Sequence, residues 1–206
     1  CRSGGPPPRS VEQAAGFTLA LLDAAGVRQA ALVGHSFGSL AALEAAARAP
    51  GRVSRLALVG TAFPMRVSPA LLDASVSQPQ AAIDQVNVFS HSTLAPPPSA
   101  LGPGTWLHGA SRALMRRVLA SNREVNVFHT GFMACDAYQG GDAAMDRVEC
   151  PVLFVLGRQD AMTPPRAAAS LQARARHGRT VLLDAGHSLM TEAPEGVLAA
   201  LRGFLA

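Results

Sequence analysis

No lysine occurs among the 206 residues: all 18 basic side chains are arginine. That absence removes several chemistries at once, because a P-loop lysine, a Schiff-base lysine and a Ser-Lys dyad all need an amine that is not there. A nucleophilic hydroxyl in this chain must therefore give its proton to a histidine or a carboxylate. Cysteine is scarce as well. Cys1, Cys135 and Cys150 are odd in number and have no C-x-x-C spacing, which argues against a disulfide framework and against a zinc site. No apolar run approaches the roughly 18 residues of a membrane span, and the opening Cys1-Arg2-Ser3-Gly4-Gly5-Pro6-Pro7-Pro8 has no apolar stretch of the signal-peptide kind. The expectation is a soluble, cytoplasmic protein without a membrane partner; since the chain opens on Cys1 and not on Met, whether a targeting segment belongs to the natural protein stays open. The formal charge of +4 and pI near 9.7 come from arginines spread along the chain and not gathered in a stripe, so no nucleic-acid partner is expected.

What is present is largely apolar. With 49% hydrophobic and 16% charged residues, the chain has the composition of one compact domain. Ser10-Val11-Glu12-Gln13 has the pattern of a capping box, and apolar residues then recur at helical spacing until Gly26, which predicts a helix of about four turns. Gln29-Ala30-Ala31-Leu32-Val33 follows as a strand, then a helix closing near Pro50-Gly51, then the buried strand Val53-Ser54-Arg55-Leu56-Ala57-Leu58-Val59-Gly60. Residues 61–149 differ in texture. Prolines interrupt them, no strand stands out, and helical spacing appears over 110–120. Alternation resumes with a strand over 151–157, a helix opened by Thr163-Pro164-Pro165, a strand at Thr180-Val181-Leu182-Leu183 and a last helix from Pro194 to Leu205. Repeated βα units predict an α/β protein with a mostly parallel, doubly wound sheet.

Catalytic groups in such sheets gather just beyond the carboxyl ends of the strands. Beyond the first lies Gly34-His35-Ser36-Phe37-Gly38, in which a sharp strand-to-helix corner holds Ser36 clear of the sheet and glycines keep its neighbours out of the way. The pattern is short enough to occur by chance, so its weight comes from the strand before it and the helix after it. Asp160 follows the strand over 151–157, and His187 follows the next. Ser, Asp and His in that order, each on a strand-end loop, supply a nucleophile, a base and a carboxylate to hold the imidazole, as acyl transfer requires. Asp184 is a weaker alternative for the acid. His35 reads as a residue that shapes the corner, and His91, His108, His129 and His177 read as solvated or core residues.

The pieces Gly34-His35-Ser36-Phe37-Gly38, Leu156-Gly157-Arg158-Gln159-Asp160-Ala161-Met162-Thr163-Pro164 and Ala185-Gly186-His187-Ser188-Leu189-Met190-Thr191-Glu192-Ala193-Pro194 closely resemble the elbow, acid loop and histidine loop of the α/β-hydrolase family, in particular its small, cap-bearing, esterase-like serine hydrolases. The resemblance implies a core from residues 1–60 and 150–206 and a helical cap over 61–149. It implies Ser36 as nucleophile, His187 as base, Asp160 as acid and the Phe37 N–H as half of an oxyanion hole, acting on a small acyl substrate such as a carboxylic ester without cofactor or metal. Trp106, Phe132 and Met133 are candidates for the substrate pocket under the cap. Serine at the elbow excludes the family's dehalogenases and epoxide hydrolases, which use aspartate. A carbon–carbon bond hydrolase, and a ligand-sensing or interaction protein of the same fold with little turnover, stay open, as does the oligomeric state. The opening Cys1-Arg2-Ser3-Gly4-Gly5 resembles the end of the family's Gly-x-Gly-x-Ser loop. The expectation is thus a chain that starts inside the family's fold, without its first strands or second oxyanion donor. It would then have an apolar edge at the strand ending in Val33, poor solubility and weak turnover.

Overall fold

A computed structural model describes residues 6–92 and 106–206. Four strands, β1 (Ala30–His35), β2 (Val53–Val59), β3 (Val152–Gly157) and β4 (Gly178–Leu183), form one parallel sheet in the order β1-β2-β3-β4. In register, His35 lies opposite Val59, Val59 opposite Val155 and Val155 opposite Val181, so all four carboxyl ends finish at nearly one level. The expected strands are therefore all present. The opening residues 1–5, with their resemblance to an oxyanion loop, lie outside the described residues.

The two central strands separate two cores because successive side chains point to opposite faces. Leu56, Leu58, Phe154 and Leu156 pack under α2 (Phe37–Arg48), while Ala57, Val59, Leu153 and Val155 pack under α10 (Pro194–Leu205). All of β3 is buried, as a parallel strand covered on both sides must be. At the sheet edge β1 is different: among the described residues nothing pairs with its outer side, and Val33 stays 48% exposed.

Helix α1 (Val11–Ala24) starts where the capping pattern places it, with Ser10 Oγ accepting from Gln13 N at 3.2 Å, and lies against α2. Between β2 and β3 the described residues hold helices alone: α3 (Pro69–Ser77), α4 (Pro79–Phe89), α5 (Leu107–Leu119), α6 (Val127–Ala137) and α7 (Gly141–Asp146). The last departs from the expected boundary at 149. Ala144, Met145 and Val148 pack into the same core as α2, β2 and β3, so by packing α7 belongs to the body of the sheet. The helix expected to open at Thr163-Pro164-Pro165 begins as a 3₁₀ turn over Pro165–Ala168 before α8 (Ala169–Arg174). Two helices complete the chain beyond β4: the short α9 (Leu189–Glu192) and then α10.

One buried polar link joins α6 to α2. Glu44 is buried inside α2, where Tyr138 Oη donates to its Oε2 at 2.7 Å and Arg48 Nε pairs with its Oε1 at 2.7 Å. Burial, and then the Glu44 carboxylate, push the Tyr138 phenol up from its ordinary value, so it stays a donor. Removing the hydroxyl leaves a buried carboxylate oxygen without that partner, which costs about 1–3 kcal/mol. Tyr138→Phe is accordingly expected to lower the urea midpoint by that amount of stability with an unchanged m value; an unchanged midpoint would show that solvent reaches Glu44.

Candidate active site

Three strand ends meet at one point. At the end of β1 the chain turns into α2 through Ser36, the one non-glycine residue with positive φ among those described (φ 53°, ψ −122°). Such a conformation costs on the order of 1–3 kcal/mol and persists only where the surroundings enforce it. Here they do. Ser36 N donates to Val59 O at 3.0 Å, and Ser39 N and Oγ both approach Ser36 O, at 2.8 and 2.6 Å. Ser39 Oγ in turn lies 2.8 Å from the buried Thr61 hydroxyl. A Cβ at Gly34 would stand 2.1 Å from Gly38 O, so only glycine lets the strand pass under the helix. Gly38 is another matter: a Cβ there meets nothing within 4 Å, so the sequence expectation of two sterically required glycines holds for the first alone.

From the end of β3, Asp160 reaches the histidine that follows β4. Asp160 Oδ2 lies 2.9 Å from His187 Nδ1, with the two residues 3% and 5% exposed. The two loops come this close because Gly157 has no side chain: a Cβ there would be 2.4 Å from Gly186 O. Met162 N and Thr163 N donate to Asp160 Oδ1 at 2.9 and 2.7 Å, and Thr163 Oγ1 donates to Oδ2 at 2.8 Å. Burial, the largest influence on this carboxyl, would raise its pKa; the bonds from His187 and Thr163 outweigh it, and the net displacement is downward. Asp160 is therefore ionised and occupies Nδ1, leaving Nε2 as the ring nitrogen able to take a proton. Asp184, the alternative acid, is exposed and pairs with Arg158 at 3.1 Å.

His35 supports this arrangement from below. Its Nε2 lies 2.9 Å from His187 O, and because a carbonyl only accepts, that nitrogen carries the ring proton. The two imidazoles stand 4.7 Å apart between centroids. Burial, and then the facing His187, push the His35 pKa down from 6.5 to about 4.

Ser36 and His187 open onto one cleft of about 300 Å³. Its walls come from the loop after β2 (Met65, Val67), α3 (Leu71), α4 (Val86, Phe89), α6 (Phe132) and the acid loop (Met162), with Arg66, Ser68 and Gln85 as polar members. No hydrogen bond joins the Ser36 hydroxyl to His187 among the described residues; such contacts often tighten only around substrate. Of the three pocket candidates only Phe132 lines this cleft. Met133 sits one residue, some 100° of helix turn, further round α6 and is exposed beside Arg9 and Glu124. Trp106, 66% exposed, borders a separate surface depression with Asp84 and Arg112. Sequence reasoning also missed Thr163, although an Asp-x-x-Thr run is a turn pattern in which such contacts arise. It missed Ser39 and Thr61, whose polar character carried no positional signal. The end of α4 is tied to the histidine loop as well: Ser188 N donates to Ser90 O at 2.7 Å, and Glu192 Oε2 accepts from Ser92 N at 2.9 Å and from Gly186 N at 3.3 Å.

A serine on a strained strand-to-helix corner, with an aspartate and a histidine at the ends of two further strands of the same parallel sheet, defines the alpha/beta hydrolase class of fold. The chain belongs to the alpha/beta hydrolase family, which it matches over residues 1–200. It is 29% identical over 223 aligned positions to a pimeloyl-[acyl-carrier protein] methyl ester esterase of Neisseria meningitidis serogroup A, covering 96% of this chain and 62% of that protein. The chain thus spans less than two thirds of that relative's length. Among solved structures it resembles a hydrolase from Pseudomonas aeruginosa, with 26% identity, 99% and 75% coverage and a TM-score of 0.75. A thermophilic esterase at 24% identity, covering 100% of this chain and 76% of that one, shares the fold with a TM-score of 0.79.

The depressed value at His35 has a measurable consequence. The unfolded chain takes up a proton there near pH 6.5 and the folded one only near 4, so this residue's contribution to stability is full above 6.5 and is lost as pH falls toward 4. The slope it adds is at most about 1.4 kcal/mol per pH unit. In urea titrations at pH 6.5, 5.5 and 4.5, His35→Gln, which keeps a side-chain donor for His187 O, is expected to lose stability less steeply than the parent. Parallel pH dependences would mean that the folded protein accepts the proton readily.

Proposed function

We propose that this protein is a serine hydrolase of small carboxylic esters. The observation that carries the reading is the buried Asp160–His187 hydrogen bond opening on the same cleft as Ser36 at its strained corner. Ser36 Oγ attacks the ester carbonyl while His187 Nε2 takes its proton, and Asp160 keeps the imidazolium oriented and stabilised. The tetrahedral oxyanion meets the N–H of Phe37, which opens α2 and so has no acceptor within the helix. Collapse breaks the bond to the leaving oxygen, His187 returns the proton to it, and the alcohol departs. Water then attacks the acyl-Ser36 ester by the same route, with the proton again passing through His187 to free the acid and the serine.

The cleft favours an apolar acyl group of modest size, since its volume is at the low end for small-molecule sites. In this reading helices α3 to α6 are the cap. From the Neisseria relative we carry over the carboxylic ester class alone. Among the described residues no helix is long and apolar enough to cross a membrane; a cytoplasmic location remains the expectation from sequence. The alternative from sequence, a ligand-binding protein of the same fold with little turnover, shares this geometry.

A fluorophosphonate label on the complete gene product separates the two. Stable labelling lost in Ser36→Ala, together with p-nitrophenyl ester hydrolysis reduced by several orders of magnitude, is expected for the hydrolase. Asp160→Asn should lower turnover by roughly 10⁴, because the amide holds the imidazole in the wrong tautomer. Undiminished hydrolysis by Ser36→Ala would remove the nucleophile.

A further inference from the structure

The Thr163 hydroxyl is buried and touches both the acid and the base. Its oxygen lies 2.8 Å from Asp160 Oδ2 and 3.0 Å from His187 Nδ1, which are themselves 2.9 Å apart. The proton count in this triangle is restrictive. An ionised carboxylate only accepts, so the single hydroxyl proton goes to Oδ2, and the lone pairs left on Oγ1 face Nδ1. That placement is favourable only if Nδ1 carries a hydrogen, which it then shares between Oδ2 and Oγ1. The other tautomer would set the Nδ1 lone pair against Oδ2.

We propose that Thr163 is a positioning residue for His187: its hydroxyl shares the Nδ1–H that Asp160 selects, holds the ring with its Nε2 lone pair toward Ser36, and takes up part of the Asp160 charge that the imidazole would otherwise feel. The proposal rests on the hydrolase reading for its catalytic consequence, though not for the hydrogen bond itself. A role confined to closing the acid loop does not account for the hydroxyl. The turn is made by the backbone N–H groups of Met162 and Thr163 on Oδ1, and both bonds survive a change of side chain. Oγ1 has hydrogen-bond partners in Asp160 and His187 alone among the described residues. Valine has the same shape without the donor, which makes the hydroxyl separable from the packing.

The titratable groups around His187 are Asp160 from the loop after β3 and His35 from β1. Glu192, on α9, bonds the neighbouring Gly186 N–H. In Thr163→Val the first two are unchanged, and Oδ2 serves His187 alone. The imidazolium is then held more tightly, so the acid limb of the kcat/KM profile moves to higher pH. The complete gene product is assayed as Thr163→Val and Thr163→Ser, with ester hydrolysis followed against pH and the His187 Nδ1–H proton followed by NMR. The expected result is a kcat on the order of tenfold lower in Thr163→Val with KM unchanged, because the ring loses one of the two contacts on Nδ1 that fix its orientation and the base leaves its productive geometry. The acid limb shifts upward and the Nδ1–H resonance moves, while Thr163→Ser restores all three. An unmoved resonance in Thr163→Val overturns the proposal, as does equal loss in the valine and serine variants with an unchanged pH profile. The resonance is read without turnover. If Ser36→Ala still hydrolyses the ester, the hydrolase reading fails while the NMR result still decides the role of Thr163.

Discussion

A carboxylate that is 3% exposed must be held by donors or it will not stay ionised, and Asp160 is held by four. Two come from the backbone of its own loop, one from a hydroxyl three residues on and one from a histidine 27 residues on. The first three follow from local chain geometry. The fourth requires that β3 and β4 lie side by side with their ends level, that Gly157 lets the loops approach, and that His35 and Glu192 hold the histidine loop in place. The parallel sheet is the frame that brings these together, and the desolvated ion is what gives the frame its chemical use.

The same logic governs the corner at Ser36. Its unfavourable backbone angles are enforced by Val59 from the neighbouring strand and by Ser39 with Thr61 behind it. Strain at the corner and burial at the acid are separate costs, and both are met by β2, which supplies Val59 to one side and the packed centre of the sheet to the other. Above this layer the helical segment contributes the cleft walls. Its link to the histidine loop through Ser90 and Ser92 joins the part that shapes the cleft to the loop that carries His187.

Much of this was legible along the chain because it is written in short-range pattern. Apolar runs bounded by glycine and proline mark all four strands, and Ser36, Asp160 and His187 stand where those runs stop. A capping pattern placed the first helix to within a residue. The prolines after Thr163 were a true signal of a helix start, yet they opened it as a 3₁₀ turn, since their fixed φ and missing N–H favour a tight first turn over immediate α-helix.

What the sequence alone determined is where three polar residues stand: Ser36, Asp160 and His187 just beyond the carboxyl ends of β1, β3 and β4 of one parallel sheet. Tertiary structure decided which neighbours surround them. Phe132 faces the cleft while Met133 does not, because one residue of helix rotation separates inside from outside. Ala144, Met145 and Val148 pack into the core of α2, β2 and β3, although the texture of the chain groups them with the helical stretch that precedes β3. His35 and Thr163 meet His187 across 152 and 24 residues of chain, and no local pattern encodes a contact between segments whose distance is set only when the sheet assembles.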